Sequence, residues 1–95
     1  MMLGFGQIET LELEDVATMT VVEKKLLIHN DEVNTFEHVI ETLIDVCGHT
    51  SEQAEQCAWI THFKGKCTVK NGSFEELAPM RTSICERGIS AEIVD

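Results

Sequence analysis

Asn30, Asp31 and Glu32 stand in a row directly behind an apolar run, Leu26-Leu27-Ile28, and just ahead of Phe36 and Val39. A carboxylate accepts hydrogen bonds with charge assistance, and a side-chain amide oxygen accepts another. Acidic acceptors beside apolar side chains suit a small pocket with a negative rim and a hydrophobic wall, fit for a cation carried on an apolar stem. Each residue also has a plainer reading. Asn30 and Asp31 suit a turn cap between a strand and a helix, and Phe36 and Val39 fall on an apolar helical stripe that suits a core.

For those side chains to meet, a strand must bring Asn30 to an edge and a helix must leave from it. Val21 to Asn30 is rich in β-branched and aliphatic residues and is predicted as a strand. Leu26 and Ile28 share one of its faces and Leu27 takes the other, so both faces near its end are expected to be covered. Asn34-Thr35-Phe36-Glu37 has the form of a capping box with Asn34 as N-cap. The helix behind it carries Phe36, Val39, Ile40, Leu43, Ile44 and Cys47 along one stripe, and Gly48 can end it in the left-handed conformation. Thr50-Ser51-Glu52-Gln53 starts a second helix, with Ala54, Cys57, Ala58 and Thr61 along one side and Trp59, Ile60 and Phe63 widening the apolar arc until Lys64-Gly65 closes it. Lys66 to Lys70 alternates polar and apolar, the period of a half-buried strand, and Asn71-Gly72 reads as a turn. Ser73-Phe74-Glu75-Glu76 is a third capping box, and Leu77, Met80, Ile84 and Cys85 continue a helical stripe. Pro79 inside it predicts a kink or a late helix start. After Arg87-Gly88, Ile89, Ala91 and Ile93 alternate with polar residues as a third strand. The order β-α-α-β-α-β implies an α+β fold, a two-layer sandwich of a three-stranded antiparallel sheet and three helices.

The chain of 95 residues suffices for one core. Residues 1–20, with Glu9, Glu12, Glu14 and Asp15, read as an acidic extension, mobile at least to Gly6 and with a candidate strand around Ile8 to Leu13. Residues 21–95 form the domain. Seven Lys and Arg against 17 Asp and Glu give a net charge of -10, which repels phosphate backbones and anionic lipid. Neither nucleic acid nor a membrane is expected as a partner. No apolar run is long enough to cross a bilayer, and no basic segment precedes an apolar stretch at the N-terminus, so a cytoplasmic protein is expected. Cys47, Cys57, Cys67 and Cys85 form no C-x-x-C pair and are expected to be reduced and mostly buried. Cys47 and His49 lack a second pair at ligand spacing, so neither a metal nor a cofactor is expected.

In this order the residues resemble the ClpS family, adaptors that deliver substrates to Clp-type AAA+ proteases. The resemblance spans roughly residues 25–94 and rests on Asn30-Asp31-Glu32 after a strand, the helix with Val39 and Ile40, Ala54, the segment Ile60-Thr61-His62-Phe63-Lys64-Gly65, which is similar to the family's Val-His-x-x-Gly, and Phe74-Glu75-Glu76-Leu77-Ala78. It implies an adaptor, not an enzyme, that binds the exposed N-terminal residue of N-degron substrates and docks on the N-terminal domain of a Clp unfoldase. By the same resemblance Asn30, Asp31 and His62 bind the substrate's α-ammonium, and Glu32, Phe36, Val39, Ala58, Thr61 and Ser90 line the pocket. Glu76 and Arg81 align with positions that contact the unfoldase. His62 alone also suits the negative end of a helix, and Glu76 and Arg81 alone suit a solvated face.

The chemistry of that assignment is specific. An α-ammonium has three donors, and hydrogen bonds to charged groups contribute roughly 1.5–3 kcal/mol each. One buried apolar side chain adds about 1.5–3 kcal/mol. After the cost of association, micromolar binding, about -8 kcal/mol, is expected. Acetylation removes the charge and two donors and should abolish binding. An imidazole must be neutral to accept, so affinity should fall as pH drops through the ordinary histidine range. Several positions depart from the family pattern. Phe36 stands where Met gates the pocket, Ala58 where a lining Met is common, Thr61 for Val, Ser90 for Leu, and Asn34-Thr35 for Thr-Pro. These changes point to an alternative, a ClpS-like interaction module with a drifted pocket that docks on a Clp chaperone without N-degron recognition. An acid/base pair from Asp31 and His62 lacks an activated nucleophile and a cofactor loop, so turnover is not expected.

Overall fold

The computed structural model describes residues 22–95, and the proposed N-terminal extension with its candidate strand lies outside the described residues. Strand β1 (Lys24–His29) leads through a turn to helix α1 (Phe36–Cys47), which is followed by α2 (Ser51–Lys64), β2 (Lys66–Gly72), α3 (Phe74–Glu86) and β3 (Ala91–Val94). The sheet order is β2-β1-β3, with β1 antiparallel to both neighbours. This is the α+β sandwich expected from the order of elements.

β1 starts at Lys24 rather than Val21 because its pairing with β2 begins at Lys24 opposite Gly72. The same pairing draws Asn71 and Gly72 into β2, opposite Lys25 and Lys24, where the sequence alone reads a turn. Val69 is one extra residue in β2 between the partners of Leu26 and Leu27, a bulge in the ladder. Its carbonyl accepts a hydrogen bond from His49 Nε2 at 2.7 Å, which fixes the segment behind α1 to the sheet.

The core lies on one face of the sheet. Leu26 and Ile28 of β1 meet Leu43 and Cys47 of α1, Ala54 of α2, Val69 of β2, Leu77 and Ile84 of α3, and Ile89. Leu27, on the opposite face, is only half-buried. The double covering expected of this strand is not present among the described residues, where Leu27 pairs with Thr68 and Glu92 on the open side. The buried stripe of α2 is Ala54, Ala58 and Thr61, so its small residues face inward, whereas Trp59, Ile60 and Phe63 are exposed. α3 begins at Phe74, behind the Ser73 cap, and runs through Pro79 with no delayed start. The boxes at Thr50/Gln53 and Ser73/Glu76 both form. No helix among the described residues is long and apolar enough to cross a membrane.

Candidate functional site

The end of the central strand is held from both sides. His29 N–H donates to the carbonyl of Ser90 at 3.0 Å, and Asn30 N–H donates to the carbonyl of Gly65 at 2.8 Å. Gly65 adopts φ 95°, closing α2 with its N–H on Thr61 O at 2.9 Å. One glycine therefore ends the helix that carries His62 and anchors the residue that starts the polar turn. A cavity of about 130 Å3 opens at this junction. Asn30, Asp31, Asn34 and Thr35 come to it from the β1–α1 turn, Phe36 and Val39 from the first turns of α1, and Ala58, Thr61 and His62 from α2. Ile28, His29 and Ile89 complete the wall.

The polar rim is organised by Asp31. Its Oδ1 accepts the backbone N–H groups of Val33 and Asn34, both at 2.9 Å, and its Oδ2 accepts Asn34 Nδ2–H at 2.7 Å. The Asn34 backbone N–H, reinforced by those of Val33 and the Asn34 side chain, holds the Asp31 carboxyl below the usual carboxylate range against a weaker opposing effect of burial. The negative charge is thus secured, with three of the carboxylate's acceptor sites already used.

This turn corrects the predicted start of α1. Thr35, not Asn34, is the N-cap: its Oγ1 accepts from His38 N–H at 3.1 Å with an extended backbone. Asp31 captures the amides of Val33 and Asn34, which moves the first helical residue to Phe36 and leaves no capping box. Asn34 instead spans a gap. Its Nδ2 donates both to Asp31 and to the carbonyl of Gly88 at 2.9 Å. His38 Nε2–H to Arg87 O at 2.8 Å and Arg87 to Asp45 at 3.2 Å add two more links between α1 and the α3–β3 connection. Ile89 belongs to that connection and closes the cavity's apolar side.

The remaining rim groups, Asn30 and His62, line the same cavity. Neither the Asn30 side-chain amide nor the His62 ring makes a hydrogen bond to another of the described residues. His62 is exposed and sits against Phe36, with centroids 5.2 Å apart, and edge-on to Phe63 at 4.9 Å.

The cavity therefore brings together Asn30, Asp31, His62, Phe36, Val39, Ala58 and Thr61. Two proposed lining residues fall outside it. Glu32 is exposed in the middle of the Asp31 turn. Ser90 is exposed too, because alternation in extended chain turns Ile89 inward and Ser90 outward. Glu76 and Arg81 are exposed on α3, away from the cavity, and Glu76 Oε1 accepts Ser73 N–H at 3.2 Å as part of the cap. Asn34, Thr35, His29, Ile28 and Ile89 belong to the wall without having been singled out. The Asp31-x-x-Asn34 spacing is the sequence signal for the turn that places two of them. Among the described residues no cluster of three or more His, Cys, Asp or Glu could hold a metal ion. Of the four free cysteines, Cys47 and Cys67 are buried, Cys57 is half-buried and Cys85 is exposed.

Fold and cavity together have counterparts in known proteins. Residues 19–91 match the family described as "ATP-dependent Clp protease adaptor protein ClpS". The fold also superimposes on ClpS2 of Agrobacterium tumefaciens, whose structure was determined bound to L-phenylalaninamide. That match has a TM-score of 0.61 and 16% sequence identity, and it covers 75% of this chain and 95% of the other. No curated protein sequence matches this one. The chain belongs to the ClpS family of Clp protease adaptors.

Proposed function

We propose that this adaptor binds the N-terminal residue of N-degron proteins and delivers them to a Clp-type AAA+ unfoldase in the cytoplasm, without catalysing a reaction itself. The observation that carries this reading is the common cavity of Asn30, Asp31 and His62, with an apolar floor of Val39, Ala58, Ile28 and Ile89. Asn30 Oδ1 and a neutral His62 nitrogen accept two of the ammonium's donors, and Asp31 supplies the charge and its remaining acceptor site. Glu76 and Arg81 are the proposed contact with the unfoldase's N-terminal domain.

The floor has a size. A closed cavity of about 150 Å3 holds a benzene ring, so about 130 Å3, open to solvent at the rim, is of the scale of one apolar first side chain such as Leu or Phe. The A. tumefaciens relative, bound to L-phenylalaninamide, presents a ligand with a free amine and a side chain of this class.

Fluorescence anisotropy with labelled peptides beginning in Leu or Phe tests the reading. Free amines should bind with micromolar affinity, while acetylated peptides and the Asp31→Asn variant should lose at least about tenfold, one charged hydrogen bond's worth. Equal affinity for free and acetylated peptides would sink it. A second reading, docking on a Clp chaperone with no N-degron binding, is favoured by one feature: the Asp31 carboxylate is largely engaged within its own turn. Retention of a Clp chaperone on the immobilised chain, with no peptide binding, would select it.

A further inference from the structure

Beyond the cavity, four rings form a continuous strip across the surface between α1 and α2. Phe36 lies 4.9 Å from Trp59 and tilted to it, Trp59 stacks on Phe63 at 4.9 Å with planes 5° apart, and His62 closes the group against Phe36 and Phe63. Phe36 and His62 also line the cavity, so the strip starts inside the rim and runs outward. Its outer members are open to solvent: Trp59 is 48% and Phe63 68% exposed. Neither contributes to the core. Large aromatic side chains stacked in the open beside a pocket mark a contact surface, because their burial is left for a partner.

We propose that this strip is a subsite for the bound chain itself, selecting an apolar or aromatic side chain at the second or third residue of the peptide. The inference rests on the proposed recognition of N-terminal residues. With the first side chain in the cavity and the amine on Asn30, Asp31 and His62, the chain has to leave across the rim. On the β1–α1 side it would bring its first carbonyl oxygen against the ionised Asp31. On the α1–α2 side it meets Phe36 and then the Trp59–Phe63 stack. The aromatic side is therefore the exit, and a side chain leaving along it can cover the exposed ring faces. Continuity with the cavity commits the strip to the peptide rather than to a separate partner.

The test uses the full chain and free-amine peptides that all begin with Leu, carry a C-terminal fluorophore, and have Phe, Ala or Glu at positions two and three. Phe at either position should bind about three- to tenfold tighter than Ala, the range of an aromatic contact. Trp59→Ala and Phe63→Ala should erase that preference while leaving the affinity for the Ala peptide unchanged, which reports an intact pocket. Trp59→Phe, which keeps a ring, should retain it. Trp59 is the protein's single tryptophan, and its emission should shift to the blue with the Phe peptides only. Amine-dependent binding that is indifferent to residues two and three, or a preference that survives both alanine variants, overturns the subsite alone. Loss of all amine dependence removes the N-degron reading beneath it. Sedimentation velocity adds a further outcome: a dimer dissolved by Trp59→Ala would assign the strip to a second copy of the chain and overturn the proposal.

Discussion

Asp31 accepts three hydrogen bonds from its own turn before any ligand arrives, and this shapes both stability and binding. The carboxylate holds the amides of Val33 and Asn34 and the Asn34 side chain, so it is the residue that shapes the entry to α1. Replacement by Ala should cost about 1 kcal/mol, below the usual range for charged hydrogen bonds because the group is partly exposed. The pH dependence has a definite sign. The folded carboxyl is held below its unfolded value, so its contribution is fully present above about pH 4 and is lost as pH falls through the lower folded value. Melting curves of wild type and Asp31→Ala should therefore differ by a constant amount between about pH 5 and 8, and the gap should narrow as pH falls below the ordinary carboxylate range. A gap that did not narrow at all on acidification would show that the turn depends on something other than the charge. Between about pH 5 and 8 Asp31 therefore stays ionised and keeps its charge available to an ammonium.

At the level of elements, the α2–β2 junction couples helix geometry to the site. Gly65 sits at φ 95°, and a Cβ there would meet nothing within 4 Å, so the cost of Gly65→Ala is backbone strain alone. That strain, about 1–2 kcal/mol, should appear as a lower melting temperature and as weaker peptide binding, because the Gly65 carbonyl anchors Asn30. Thermal melts with parallel anisotropy titrations check both effects. The same elements show what a sequence can disclose. Helix ends were legible where they are local: Thr50 with Gln53, Ser73 with Glu76, and the left-handed glycines 48 and 65 each depend on residues a few positions apart. Asn34 misled because two local devices compete for it, a helix cap and the Asp31 turn, and the turn wins by offering a carboxylate. Asn71-Gly72 misled because Lys24 and Lys25, far away in sequence, continue the ladder past them. The rim residues Asn30, Asp31 and His62 could be read as a set. The wall residue Ile89 was missed in favour of Ser90 because a one-residue slip in an extended segment exchanges inside for outside. The exposure of Trp59 and Phe63 was hidden as well, since apolar character alone does not say which arc of a helix faces the core.

For the whole molecule, the thiols make an internal gauge of integrity. Burial pushes Cys47 up to about 11 and Cys67, also facing Cys57, up to about 12, so neither forms the reactive thiolate in the folded state. Iodoacetamide at pH 8 should modify Cys85 first and half-buried Cys57 more slowly, with Cys47 and Cys67 reacting only on global unfolding; rapid modification of all four would contradict the packing. Mass spectrometry of the four peptides reads this directly. The clamp on the end of β1 has a further consequence, for biosynthesis. Ser90 holds His29, and Ile89 closes the cavity, yet both follow α3 in the chain. A nascent chain can already form both helices that carry the aromatic strip while its ligand cavity still lacks a wall. Capture of a ligand thus has to await synthesis of the α3–β3 connection. Arrested chains ending before Gly88 should show helical signal without amine-dependent binding.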